Sequence, residues 1–482
     1  MVVNKNIVFN SVLWKFLERS SVQVVSFIVS VVLARLLTPN DYGSIALVLV
    51  FINIASVFVQ GGFNTALIQK KNSDDIDYST IFYFSLFVSF VLYLLLFYSA
   101  PAIASFYRKV ELCSVLRVLG LSLFFNAINS VQGAYLSQKL LFRKLFYSSL
   151  CGVSCSAVIG IYMAYKGYGV WALVFQHLTS SFFITSVMWF TVKWRPKKVF
   201  SWKRFYSLFN YGWKIFSTNL TISIFINIRS LIIGKAYNAS SLAYFDRGKQ
   251  LPSLILDNID ASIQSVMFPV LSIEQENLVR VKTMMRRSIK VSTYVIFPLL
   301  TGLLVLANPI IEVLLTKKWI DAVPFVQIFC LAYMFIPMQN VNMVAIKALG
   351  HSGISLKLEL LKKMLEVLIL IVTIFISVKA VAWGIVVYNF CCIFINLYPC
   401  KKLIDYHYRE QIKDVLPALA LSVVMGGIVF TLHYLSLSPI LQIFLSVLIG
   451  CFIYLSLSVL FQVNSYKYLF DLLKSKIIKT NH

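Results

Sequence analysis

Acidic residues are scarce in this chain: 19 Asp and Glu stand against 44 Lys and Arg in 482 residues, and charged residues of both signs make up only 13%. A water-soluble globular protein of this length needs more surface charge, so that class is excluded. Histidine is scarcer still, with five scattered copies and no HExxH, and GxxxxGK[ST] is absent. Neither zinc hydrolysis nor nucleotide hydrolysis therefore has a motif, and no metal or cofactor is expected. The eight cysteines lack ligand spacing: Cys151 and Cys155 share a helical face, Cys391 and Cys392 are adjacent, and the rest are isolated, so they read as buried membrane thiols. The opening "MVVNKNIVFNSVLWKFLERS" has no short apolar core followed by a small-residue cleavage site, so the first helix is expected to remain as an anchor. No stretch has the character of a soluble domain and no outside loop exceeds about ten residues. That leaves no room for an extracytoplasmic catalytic module and argues against an enzyme such as a membrane polymerase or ligase.

What is present is hydrocarbon: 59% of residues are hydrophobic and the mean hydropathy is +0.80. With roughly 20 apolar residues needed to cross a bilayer, the sequence predicts an all-α polytopic membrane protein of about fourteen helices. They are expected near 12–37, 41–65, 80–104, 112–136, 145–165, 169–192, 205–234, 242–271, 289–315, 322–347, 354–378, 380–400, 412–434 and 438–462. The formal charge of +25 is unevenly distributed. With the N-terminus inside, inside loops and tails hold about 29 Lys and Arg against about 7 outside. This predicts that both termini are cytoplasmic and assigns the basic excess to topology and to anionic membrane lipids, with no nucleic-acid role. The longest inside connections, near 193–204 and 272–288, are basic and suited to amphipathic surface helices.

An offset of 200 residues superposes scarce polar positions of the first two helices on the seventh and eighth. Arg19, Gln23 and Ser30 fall on Asn219, Ser223 and Ser230; Arg35 on Lys235; Thr38 on Asn238; and Asn53, Gln60 and Asn64 on Ser253, Asp260 and Gln264. Apolar segments aligned by chance would match leucines and leave polar residues out of register. The expected organisation is two pseudo-symmetric six-helix lobes, 1–200 and 201–400, with helices thirteen and fourteen and a basic tail in 401–482.

The eighth helix carries the densest polar signal. Asp246, Gln250, Ser253, Asp257, Asp260 and Gln264 follow spacings of four, three, four, three and four, which is one face of a helix over about 27 Å. A carboxylate at mid-membrane costs roughly 2.5–3.5 kcal/mol, so three of them must face water or partners. The pattern points to a hydrated central cavity, with interhelical hydrogen bonding for packing as the alternative. Pro252 removes an amide hydrogen inside this helix, suiting either a hinge or a tolerated membrane proline. The cations Arg19, Arg35, Arg229, Lys235, Arg247 and Lys249 lie on the same helices, and phosphate oxygens are the natural partner of such groups. Arg35 and Lys235 also suit snorkelling to headgroups. With Gln23, Asn53, Gln60, Asn64, Asn219, Asn227, Gln250 and Gln264 these cations make up the candidate substrate cavity, and Asp246, Asp257 and Asp260 are the candidates for ion coupling. Glu18 is expected to pair with Arg19 or a neighbouring helix. Arg117, Glu312 and the run Glu359, Lys362, Lys363 and Glu366 read as solvated helix ends.

The segments "LLTPNDYGSIAL", "GGFNTALIQKK", "RPKKVFSWKRF", "NYGWKIFSTNL", "LAYFDRGKQLPSL" and "ANPIIEVLLTKKW", in this order and spacing, resemble the polysaccharide transporters of the multidrug/oligosaccharidyl-lipid/polysaccharide flippase superfamily, typified by O-antigen and exopolysaccharide lipid flippases. The resemblance covers most of the chain. It implies a multi-pass protein of the bacterial inner membrane that moves undecaprenyl-diphosphate-linked sugar repeats between leaflets by alternating access, driven by an ion gradient. Polysaccharide polymerase and glycosyltransferases of the same pathway are then expected partners. Ala243 stands before Tyr244 and Phe245 where that family commonly has Gly. A small-molecule exporter of the same superfamily is the nearest alternative.

Overall fold

In hydrocarbon an unpaired backbone N–H or C=O costs several kcal/mol, so a chain this apolar must pair its backbone within helices or closed barrels. A computed structural model shows the first solution. It describes residues 5–70, 73–435, 437–463 and 465–468, and among these there is no strand. Packing divides the chain into two units, Met1–Ala243 and Tyr244–His482.

The first unit contains α1 (Lys5–Leu36), α2 (Pro39–Gln60), α3 (Phe63–Gln69), α4 (Asp75–Phe106), α5 (Glu111–Leu119), α6 (Ser122–Gln138), α7 (Phe142–Tyr165), α8 (Val170–Thr191) and α9 (Trp202–Ala236). α9 packs on α2, α3 and α4, while α7 packs on α1 and α8. Helix α10 (Ala239–Ile273) carries the chain into the second unit, followed by α11 (Leu278–Val305), α12 (Ala307–Leu315), a 3-10 turn at Lys317–Ala322, α13 (Val323–Met334), α14 (Ile336–Ala348), α15 (Ser352–Ile374), α16 (Val378–Ile404), α17 (Tyr408–Thr431) and α18 (Pro439–Leu460). Among the described residues thirteen helical segments are long and apolar enough to cross a membrane. α15 has the length but carries Glu359, Lys362, Lys363 and Glu366 in its middle third. The all-α polytopic reading holds.

Three local expectations need correction. The basic stretch "RVKTMMRRSIK" is not a surface connection: Asn277 caps the Arg280 N–H at 3.1 Å and α11 starts eleven residues earlier than expected, then breaks at Leu306 before α12. No amphipathic helix forms over 193–204 either. Residues up to 201 have no helical structure, and their backbone is held by side chains of α4, with Lys197 N–H on Ser79 Oγ at 2.9 Å and Ser201 N–H on Thr80 Oγ1 at 3.3 Å. The charges of α15 are not at its ends. They form two pairs along the helix, Lys362 to Glu359 at 2.8 Å and Lys363 to Glu366 at 2.7 Å, with Lys362 buried. Opposite charges three residues apart satisfy each other where bilayer water is absent.

The 200-residue offset has a local structural counterpart. Thr38 caps α2, its Oγ1 accepting the Asp41 N–H while Asp41 accepts the Thr38 N–H at 2.9 Å; Asn238 caps α10, its Oδ1 accepting the Ser241 N–H at 2.7 Å. Each cap follows a long helix with a cation in its last turn, Arg35 or Lys235. Further on, at a spacing of 208 rather than 200, α4 ends before Arg108 at φ 54° and α12 before Thr316 at φ 76°, each followed by a lysine.

Candidate functional site

The polar face of α10 resolves into two clusters in the second unit. Near its start, Arg247 donates to Gln250 Oε1 at 2.6 Å and stacks over the ring of buried Trp319, which Tyr244 meets edge-on. Asp246 lies in the field of Lys249 and Arg247. Gly248 lets α10 approach α13, because a side chain there would enter the Phe325 backbone, and Phe245 packs on Phe325 and Phe329. Ser253 Oγ returns to the Lys249 carbonyl at 2.6 Å, a bond that relieves a hydroxyl in low dielectric. α10 continues as one helix through Pro252 and Pro269.

Three turns along, Asp260 is buried, with 8% exposure, and one of its carboxylate oxygens accepts two amides: Gln264 Nε2 at 2.5 Å and Asn340 Nδ2 from α14 at 2.6 Å. Asp257 lies on the exposed side of the same stripe. Asn340 escaped the sequence reading. Its signal is "MQNVNM", three amides in four residues of an otherwise apolar helix. The other two serve packing: Gln339 reaches the Asn389 carbonyl at 3.0 Å, and Asn342 exchanges amide hydrogen bonds with Gln411 of α17 at 3.1 and 3.2 Å.

In the first unit the candidates are more dispersed. Asn64 accepts from Ser130 of α6 at 2.7 Å, and Asn126 donates to Ser56 at 3.1 Å, so a polar seam joins α2, α3 and α6. Asn53, Gln60, Arg19, Arg35 and Asn219 are exposed, whereas Gln23 and Arg229 are half-buried. Asn227 is turned back onto its own helix, donating to the Ser223 carbonyl at 2.8 Å. Lys235 is engaged at the end of α4, with Nζ 2.6 Å from the Phe106 carbonyl and 3.9 Å from the centre of its ring. A cation at a helix C-terminus satisfies an orphan carbonyl, which gives Lys235 a structural task. Glu18 pairs with Lys15 at 2.7 Å and with Ser149 of α7 at 3.2 Å, not with Arg19. Arg117 covers the Phe97 ring and donates to its carbonyl at 3.2 Å.

Each unit also carries an ion cluster that the sequence reading missed. In the first, fully buried Asp77 receives Lys70 at 2.5 Å and lies 3.5 Å from Arg204, which binds Asp74 at 3.0 Å. Burial works to raise the Asp74 pKa, but the Asp77 N–H and the Arg204 guanidinium outweigh it and hold the carboxyl below its ordinary value. In the second, Asp414 accepts Arg286 at 2.7 and 2.8 Å, Lys290 at 3.0 Å and Tyr406 at 2.8 Å. Burial, followed by the hydrogen bond to Asp414, pushes the Tyr406 phenol upward. Their signal was faint because the partners lie up to 130 residues apart.

Thirteen apolar helices among the described residues, with a buried acid, Asp260, held by two amides between α10 and α14, make this a polytopic membrane protein with a polar site among its helices. Residues 32–324, more than half of the chain, match the family described as polysaccharide biosynthesis protein, and the chain belongs to that family. This bears out the resemblance carried by the sequence motifs. Among curated relatives, the chain is 21% identical to the teichuronic acid biosynthesis protein TuaB of Bacillus subtilis (strain 168), covering 92% of this chain and 94% of the relative. It is 23% identical to the succinoglycan biosynthesis transport protein ExoT of Rhizobium meliloti (strain 1021) over 68% of this chain and 67% of that one. Among solved structures it shares the fold of the lipid II flippase MurJ in an inward closed conformation, with a TM-score of 0.78 and 16% identity over 95% of this chain and 100% of that one.

Proposed function

We propose that this protein is a lipid-linked oligosaccharide flippase. It moves undecaprenyl-diphosphate-linked repeat units from the cytoplasmic to the periplasmic leaflet of the bacterial inner membrane, with both termini cytoplasmic. Membership of a polysaccharide biosynthesis family supports the glycan pathway, and the names of ExoT and MurJ, a transport protein and a lipid flippase, support movement of a lipid-borne cargo. The observation that carries the reading is the Asp260–Gln264–Asn340 cluster with Asp246 and Asp257 on the same α10 face. Acids are retained inside a membrane where they do chemistry or carry ions. In this scheme Arg247 and Lys249 of the second unit hold diphosphate oxygens, Arg19 and Arg229 offer the same chemistry within the first unit, and the amides hold sugar hydroxyls. One of Asp246, Asp257 and Asp260 takes up the coupling ion in the outward-open state and releases it inside. Glycosyltransferases of the same pathway act before it and the polymerase after it.

The test is the lipid-linked oligosaccharide content of each leaflet in cells with and without the protein. Completed repeats are expected to accumulate on the cytoplasmic side without it. Arg19→Ala, Asp257→Asn and Asp260→Asn should lower flipping about tenfold or more, the loss of roughly one charge-assisted contact or coupling step. Unchanged glycan distribution together with accumulation of cationic dyes would replace this reading with small-molecule export. Undiminished dependence on a pH or sodium gradient in Asn variants of all three acids would remove the coupling role.

A further inference from the structure

At the end of the second unit where α11 and α17 begin and α18 finishes, two cavities share Lys290 and Ser465 in their linings. One, of about 480 Å3, is bounded by Thr283, Arg286, Arg287, Lys290, Ser465 and Tyr468. The other, of about 630 Å3, is lined by Lys413 and Asp414 at the start of α17 and continues along Pro417, Leu421, Val424, Leu457 and Phe461. The joined linings hold four cations against one carboxylate. Asp414 is occupied by Arg286, Lys290 and Tyr406. Arg287 and Lys413 are exposed and meet no carboxylate among the described residues; the Arg287 guanidinium stands 3.3 Å over the Tyr468 ring, which orients it.

The α17 wall explains the shape. Lys413, Pro417, Ala420 and Val424 follow spacings of four, three and four and are all exposed, so one helical face runs from a cation to small apolar side chains. From Lys413 to Val424 is about 16 Å along the helix, the depth of one leaflet's hydrocarbon. A polar mouth of positive charge above an apolar trough of that depth is complementary to an anionic headgroup with its acyl chains.

We propose that this cavity binds an anionic glycerophospholipid of the leaflet next to the α11 N-terminus, as a resident lipid separate from the transported cargo. Arg287, Lys290 and Lys413 face the phosphate and the Pro417–Ala420–Val424 face an acyl chain, while Ser465 ties the segment after α18 to α11 through the Lys290 carbonyl at 3.2 Å. This assignment does not rest on the transport reading.

The test is lipid binding by the purified full chain, followed by native mass spectrometry and by displacement of fluorescent phosphatidylglycerol. Phosphatidylglycerol is expected to bind more tightly than phosphatidylethanolamine. Since each basic group near a membrane surface contributes about a fivefold factor, Arg287→Gln and Lys413→Gln should each weaken binding about fivefold and the pair about 25-fold. Arg287→Lys should retain most of it. Ala420→Trp fills the trough at an exposed position and should reduce binding about tenfold with all charges in place, and Lys402→Ala, at the same end of neighbouring α16 but outside the lining, should leave it unchanged. Equal binding by the double variant, or an equal loss in Lys402→Ala, would reduce the effect to general surface attraction and overturn the site. Displacement by inorganic phosphate at the lipid's own concentration would overturn the lipid assignment, because the trough would then contribute nothing. Preferential displacement by a polyprenyl diphosphate would make it part of the cargo's path and overturn the resident-lipid reading.

Discussion

At the residue scale, burial separates acids that look alike in sequence. Asp77 and Asp260 are both enclosed, but their partners differ in kind. Asp77 faces Lys70 and Arg204, two cations, whereas Asp260 faces the neutral amides of Gln264 and Asn340. The first arrangement is a closed ion cluster with its charge already balanced. The second leaves a carboxyl group that, among the described residues, meets neutral amides and no cation, which is the arrangement an intramembrane ion site requires. Removing one partner of a buried pair costs about 3–5 kcal/mol because the other charge is stranded. Since Lys70 and Arg204 keep some exposure, Asp77→Asn is expected at the lower end, about 3 kcal/mol, seen as a fall in thermal stability of the purified protein. A melting curve matching the wild type would show that the cluster does not hold α3, α4 and α9 together.

At the element scale, the break between α2 and α3 is made by two left-handed glycines, Gly61 at φ 53° and Gly62 at φ 70°. The hydrogen in place of a Gly62 side chain lies against the Gly212 carbonyl of α9, so the turn and the helix contact depend on the same missing Cβ. Gly62→Ala combines an unfavourable φ with a backbone clash and is expected to destabilise by more than about 1 kcal/mol. Gly212→Ala sits in a helix, where Ala is intrinsically favoured by about 1 kcal/mol, and its Cβ would meet the Gly61 carbonyl at 3.3 Å and the Gly62 carbonyl at 3.5 Å, far less close than the contact a Gly62 side chain would make. Denaturation of the two variants side by side checks the order; equal losses would mean that helix packing, not the turn, sets the cost. The same scale explains why the α11 start was misread. Hydropathy discounts "RVKTMMRRSIK" as a loop, yet Val281, Met285 and Ile289 fall four residues apart and are fully buried, while Arg286 and Lys290 turn to Asp414.

At the scale of the whole molecule, the alternation of basic loops is expected to orient the chain. Lys and Arg resist translocation, so the connection 193–204 and the start of α11 are expected inside and the Arg108 turn outside. In a background with the eight native cysteines replaced, Arg108→Cys should react with a membrane-impermeant thiol reagent added to intact spheroplasts. Ser201→Cys should react only after permeabilisation. The reverse pattern would invert the orientation and with it the direction of transport proposed above.

Much of the architecture was legible because its causes are local. Length and apolarity set the spans, the spacing of Asp246 to Gln264 set one helical face, and the Thr38–Asn238 match proved to be a pair of N-caps, each needing only residues three positions away. Tertiary structure alone decided which polar groups are already engaged. It tied Lys235 to the end of α4, closed Asp77 and Asp414 with cations, brought Asn340 from 80 residues away to Asp260, and put the paired charges of α15 at mid-helix. Sequence by itself determined that the chain lies in a membrane and where its charges are rare, since the energy of a residue in hydrocarbon depends on its own chemistry. Whether a given charge is free to act depends on partners distant in sequence, and only the packed helices bring those together.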